Sequence, residues 1–204
     1  TWQFPTGYPA TNFQNVIMLR FATDVEKASG GKLKMIMHND GSLFKLPEIK
    51  RAVQGGQQAQ IGAMVLLIHT NEWPLFGLDN LPFLADSIEK ARKLHLAVKP
   101  ALEKKLAEQG MTLLYTIPWP GQGLYVKKPV NSAAGLKGLK WRAYSPMMAR
   151  VADLVGAQPV TVQSAELSQA MATGVGESYM SSAQTGLDTK TYEHIKYFYD
   201  MQGW

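Results

Sequence analysis

The sequence predicts an α/β fold, and three observations lead there. Some segments repeat apolar residues at helical spacing, others are short continuous apolar runs, and the two kinds alternate along the chain. Glycine pairs and proline-containing loops punctuate the alternation. With 204 residues, 46% of them hydrophobic, the chain can bury a substantial core, as one large domain or as two small lobes.

Trp2 to Pro5 reads as a first strand, followed by a loop through Gly7, Tyr8 and Pro9. Phe13, Ile17, Phe21, Val25 and Ala28 make one helical stripe that stops at Gly30-Gly31. Leu33 to Met37 is a second strand and Asn39-Asp40-Gly41-Ser42 a turn. A helix from Leu46 to Gln54 ends at Gly55-Gly56, and Gln60 to Leu67 reads as a third strand. After Trp73-Pro74, Ser87 opens a long amphipathic stretch with Ile88, Ala91, Leu94, Val98, Leu102 and Leu106, which Pro100 should kink or split. Met111 to Ile117 returns as a strand.

A boundary falls near Trp119-Pro120-Gly121. Beyond it, strands are expected at Leu124 to Val126, Leu139 to Ala143, Gln158 to Thr161 and Val175 to Met180. Helices lie between them at Pro146 to Val155 and Ala165 to Thr173, and Lys196 to Met201 is a last strand heading back. Pattern alone predicts α/β and leaves the number of lobes open.

The net charge of +5 does not mark a nucleic-acid binder, because the basic residues are scattered; Lys104-Lys105 and Lys127-Lys128 read as solvated faces. The same charge favours modest steering of anions. There is no cysteine, so neither disulfides nor a thiolate zinc site can form. The longest apolar run, Ala63 to Ile68, is too short to span a membrane.

The most informative stretch runs from Lys127 to Val160. It places Arg142 at the end of a short strand, immediately before a helix start with Ser145 as N-cap and Pro146 at the first helical position. An arginine fork can pair with both oxygens of a carboxylate, and the positive end of a helix dipole favours the same charge. A surface arginine closing a strand is the plainer reading of that residue in isolation.

The surrounding words resemble those of the solute-binding proteins of tripartite ATP-independent periplasmic (TRAP) transporters, the DctP-like family. Lys137-Gly138-Leu139-Lys140-Trp141-Arg142 resembles the family motif whose arginine holds the carboxylate of the transported acid. Gly156-Ala157-Gln158-Pro159-Val160 and Ala170-Met171-Ala172-Thr173-Gly174-Val175 resemble two further motifs. Upstream, Gly30-Gly31-Lys32-Leu33, Gly41-Ser42-Leu43 and Leu81-Pro82-Phe83-Leu84 follow in the same order. The resemblance covers nearly the whole chain.

It implies a two-lobed periplasmic binding-protein fold of the class II kind, with the ligand between the lobes. The lobes would be residues 1–119 and 120–194, with 195–204 a crossover strand returning toward the first. It further implies a chain that continues past Trp204 in family members. Thr1-Trp2-Gln3-Phe4 has no basic leader, so an exported protein would be in its mature form here.

Arg142 is the expected carboxylate anchor. Counting along the shared motifs, Gln122 stands where acidic-sugar-binding relatives carry a second arginine, which argues against a doubly acidic ligand. Gln122 can still donate a hydrogen bond, and an ordinary loop glutamine is the equal alternative. Ser181 falls at the position of an asparagine that helps bind the carboxylate. Trp119, fixed between Pro118 and Pro120, suits a flat or apolar ligand body, with lobe packing as its alternative role. Tyr8, Tyr144 and Tyr179 complete the expected wall. These residues favour a small monocarboxylate, aromatic or 2-oxo in character.

No enzyme constellation competes. His38, His69, His95 and His194 form no HExxH pair, there is no GxSxG elbow, and Gly121-Gln122-Gly123 is only a fragment of a dinucleotide loop. The expected function is therefore a periplasmic, non-enzymatic subunit that captures an organic acid by hinge closure and delivers it to integral membrane permease subunits. It would need no cofactor and no metal, and would carry no membrane span of its own. A binding protein serving an ABC importer or a sensor is the first alternative. A small-molecule enzyme on a two-lobe scaffold is the second.

Overall fold

The computed structural model describes residues 1–204. Its contacts fall into two compact units, Thr1–Val65 with Glu103–Ile117, and Leu66–Leu102 with Pro118–Trp204.

In the first unit, β1 (Trp2–Pro5) and β2 (Met35–His38) pair in parallel, with Trp2 opposite Met35 and Pro5 opposite His38. Parallel neighbours need a crossover, and α1 (Phe13–Ala28) supplies it. Asn12 caps that helix by accepting from the Gln14 amide, and Gly30 and Gly31 leave it with positive φ. The buried face of α1 is rotated from the expected stripe. Gln14, Asn15, Met18 and Ala22 point inward, while Ile17 is 45% exposed. Asn15 explains the rotation: its Nδ2 donates to Tyr8 O at 2.7 Å and Pro9 O at 3.0 Å, and its Oδ1 accepts from Thr6 Oγ1 at 2.8 Å. A buried amide with these partners outranks an apolar stripe in setting the helix face. The core is Phe4, Met18, Ala22, Met35 and Ile61.

Helix α2 (Ile49–Gly55) follows a single 3-10 turn and ends on Gly56 at φ 70°. Two expected strands do not form. Between Gln60 and Leu67 the chain runs irregularly beside β1, tied by Ala63 N to Pro5 O, and then enters a 3-10 turn at Leu66–His69. Gly62 lies so tightly against Ile49 and Val53 that no side chain fits there, so packing on α2 shapes the segment. Met111 to Ile117 is likewise outside any ladder. It is held through Tyr115, packed against Phe21 with ring centroids 5.1 Å apart, and through Ile117 O, which accepts from Gln14 Nε2. Strand-like residues without a neighbouring strand to complete a ladder are held instead by single hydrogen bonds and side-chain contacts.

The helix α3 (Ile88–Glu108) passes from the second unit into the first after Leu102. Pro100 lies inside it without splitting it.

The second unit is built on a five-stranded sheet of β3 (Gln122–Val126), β4 (Lys140–Ala143), β5 (Gln158–Thr161), β6 (Ser178–Ser182) and β7 (Tyr197–Tyr199), in the order β5-β4-β6-β3-β7. β4 is parallel to both β5 and β6, whereas β3 is antiparallel to β6 and β7. The expected strand at Val175 to Met180 is shifted two to three residues onward, because Gly174 and Gly176 belong to the turn that leaves the preceding helix. α4 (Pro146–Leu154) joins β4 to β5, α5 (Leu167–Thr173) joins β5 to β6, and α6 (Ala183–Asp188) follows β6.

Strand alternation divides the core between the two faces of this sheet. Leu124, Val126, Trp141, Ala143 and Met180 pack on one side with Met148 and Ala152 of α4. Tyr125 and Tyr179 face the other side with Leu167 and Met171 of α5 and Ile195. Their rings stack 4.3 Å apart and 5° from parallel.

Gly123 opens the space for β7. A Cβ there would meet the Phe198 ring and lie 2.5 Å from Tyr199 O. Gly123→Ala is therefore expected to push β7 off β3 and cost ~1–3 kcal/mol, as overpacking does. Urea unfolding gives the cost, and backbone amide exchange at Tyr197–Tyr199 should accelerate; unchanged protection there would refute it.

Candidate ligand-binding site

Because β4, β5 and β6 run parallel, their C-terminal ends form one edge of the sheet, where ligands of α/β proteins gather. Antiparallel β3 begins at the same edge with Gln122, which lies opposite Ser182 of β6. Most of the sequence-nominated residues meet here.

Arg142 is only 4% exposed, buried near the end of β4. Its Nε donates to Val162 O at 2.9 Å, and its guanidinium carbon lies 4.9 Å from the centre of the Tyr144 ring. Backbone carbonyl and aromatic face together hold the fork in one orientation. Three residues on, Ser145 Oγ accepts from Met148 N at 3.2 Å and Pro146 starts α4, so a helix N-terminus opens beside the arginine.

Tyr144 is half-buried. Burial pushes its phenol up to about 12; the Arg142 charge and a hydrogen bond to Trp204 oppose this, and the Asp79 carboxylate reinforces it. Gln122 is buried, with Nε2 donating to Pro120 O at 2.8 Å. Its backbone N donates to Trp204 O and its O accepts from Gly203 N. Ser181 is buried and donates to Thr185 Oγ1 at 2.7 Å. Trp119 is half-buried in the loop before Gln122.

The two remaining nominated tyrosines differ, one lying beneath this edge and the other in the first unit. Tyr179 is opposite Arg142 in the ladder but has no exposed surface; stacked on Tyr125 and bonded through its hydroxyl to Thr191 Oγ1, it belongs to the core beneath the edge. Burial raises its phenol well above the ordinary tyrosine value. Tyr8 belongs to the first unit, in the loop fastened by Asn15.

The structure adds residues that periodicity does not flag. Asp79 and Asn80 end a 3-10 segment (Pro74–Asn80) in the second unit. The Asp79 carboxyl is raised by desolvation, against the opposing effects of a backbone hydrogen bond and His95. A raised carboxyl favours the folded state fully below its unfolded value of 3.8, and that contribution disappears as pH rises through the folded value. Asp79→Asn should therefore raise the melting temperature at pH 7 and leave it nearly unchanged at pH 3. A variant equally or less stable at pH 7 would contradict this. Neither of two open concavities, of about 470 and 420 Å3, is lined by Arg142; the second adjoins this edge at Pro118, Pro120, Gly121 and Phe198. No group of three or more His, Cys, Asp or Glu residues is arranged to hold a metal ion, and no helix is long and apolar enough to cross a membrane.

Comparisons with known proteins agree with this fold. The chain is 58% identical, over its full length, to DctP6, a Bordetella pertussis extracytoplasmic solute receptor binding pyroglutamic acid; the TM-score is 0.97 and 67% of that chain is covered. It is 49% identical over its full length to a marine metagenome TRAP solute-binding protein specific for pyroglutamate, at a TM-score of 0.96 and 66% coverage of that chain. A curated solute-binding protein of Albidiferax ferrireducens is 29% identical over 95% of this chain, which spans 58% of that relative's length. Residues 7–202 match bacterial extracellular solute-binding protein family 7, DctP, and the chain belongs to that family.

Proposed function

We propose that this chain is the ligand-capturing part of a TRAP transporter's periplasmic binding subunit, and that its ligand is a small monocarboxylate of the pyroglutamate kind. The observation that carries the reading is Arg142, a buried guanidinium oriented by Val162 O and Tyr144 beside a helix N-terminus. Such a group binds an anion without paying again for its own ordering. Gln122 in place of a second arginine supports one acidic group on the ligand rather than two. The 58% identity to a receptor that binds pyroglutamic acid supports the lactam acid.

In this reading the protein carries out no reaction. Hinge closure captures the acid, and the loaded form docks on integral membrane permease subunits. A thermal-shift screen tests the ligand class: pyroglutamate and close cyclic monocarboxylates should raise the melting temperature, while dicarboxylates and sugar acids should not. Silence across all acids, from folded protein stripped of carried-over ligand, would overturn the proposal.

A further inference from the structure

Asn80 is 1% exposed, and neither its Nδ2 nor its Oδ1 has a hydrogen-bond partner. Leaving both halves of one carboxamide buried and unpaired is rare in native proteins and calls for an explanation. Position supplies one. Asp79, the preceding residue, interacts electrostatically with Tyr144, whose ring carries the Arg142 guanidinium. Three residues onward, Phe83 N donates to Gly203 O, and Gly203 N in turn donates to Gln122 O at 2.9 Å. The segment 79–83 is thus strapped to the same edge of the sheet as Arg142, Tyr144 and Gln122.

We propose that Asn80 is the specificity-determining residue that reads the lactam edge of the ligand; this rests on the proposed pyroglutamate-type function. A five-membered lactam locks its N–H and C=O side by side. A carboxamide is their complement, its NH2 donating to the lactam oxygen and its oxygen accepting from the lactam N–H. Arg142 would hold the carboxylate at the other end of the ring. A site built to pair a polar group rejects an analogue lacking it far more strongly than an apolar pocket rejects a change of shape.

Calorimetric titration of ligand-stripped full chain tests this with L-pyroglutamate, N-methyl-pyroglutamate and cyclopentanecarboxylate. Wild-type protein should prefer pyroglutamate over cyclopentanecarboxylate by at least about 100-fold. In Asn80→Leu that preference should shrink to roughly threefold, with cyclopentanecarboxylate bound about as before. Without ligand, Asn80→Leu should melt at the same temperature or higher, because an unpaired carboxamide has been removed. An Asn80→Leu variant that binds pyroglutamate as tightly as wild type overturns the inference alone. If the variant does not fold, the wild-type protein still decides. Loss of about tenfold or more for the N-methyl lactam supports the inference, and equal affinity overturns it. Wild-type protein that ignores pyroglutamate but binds another acid through Arg142 overturns the ligand assignment and this inference together.

Discussion

Arg142→Ala should weaken binding of the carboxylate ligand by about 100- to 1,000-fold, the consequence of removing one member of a desolvated charge pair worth ~3–4 kcal/mol. The sequence alone suggests that an arginine at a site's edge can be removed at little cost to the fold. Its 4% exposure alters that expectation. Truncation also removes the hydrogen bond to Val162 O and the contact with the Tyr144 ring, so a further ~1–3 kcal/mol of stability should be lost. Arg142→Lys separates charge from shape: it keeps a cation but loses the planar fork, and should fall between wild type and alanine. Calorimetry on variants first shown to be folded measures all three. Wild-type affinity in a folded Arg142→Ala protein would eliminate the carboxylate-anchor role.

Trp141→Ala should be the most destabilising single change near the site, at ~3–5 kcal/mol. Trp141 is 1% exposed on the opposite face of β4 from Arg142, inside the cluster formed with Met148, Ala152 and Leu124. Its removal leaves a large cavity under the strand that presents the arginine. Trp141→Phe should cost much less, under ~1.5 kcal/mol, because part of the volume stays and the indole N–H, which has no partner, is removed. Urea unfolding distinguishes the two. Equal losses would mean that packing at this position does not depend on volume.

Neighbouring residues of one strand therefore play separate parts, and strand alternation is the reason. Lys140, Trp141, Arg142 and Ala143 form β4 as the sequence predicts, and α4 begins at Pro146 as expected from Ser145. β1, β3 and β5 also agree with their patterns, as do α1, α2 and α3 in extent. These are elements whose own residues carry the signal: caps, glycine stops and β-branched or apolar runs. The failed strands at Gln60 to Leu67 and Met111 to Ile117 share a different property. A strand needs a partner as well as a propensity, and no local pattern reports whether one is present.

The site divides along the same line. By itself the sequence determined the α/β class, the strand-to-helix junction that carries Arg142, and, through its short motifs, membership of a solute-binding family. Each of these is written in contiguous residues. Only the tertiary structure decided that Tyr179 lies in the core, that Asn15 turns α1, and that Asp79 and Asn80 share an edge with Arg142 across more than sixty residues of chain. Burial, ladder register and hydrogen-bond satisfaction are relations between segments distant in sequence, and they exist only once the chain has closed on itself.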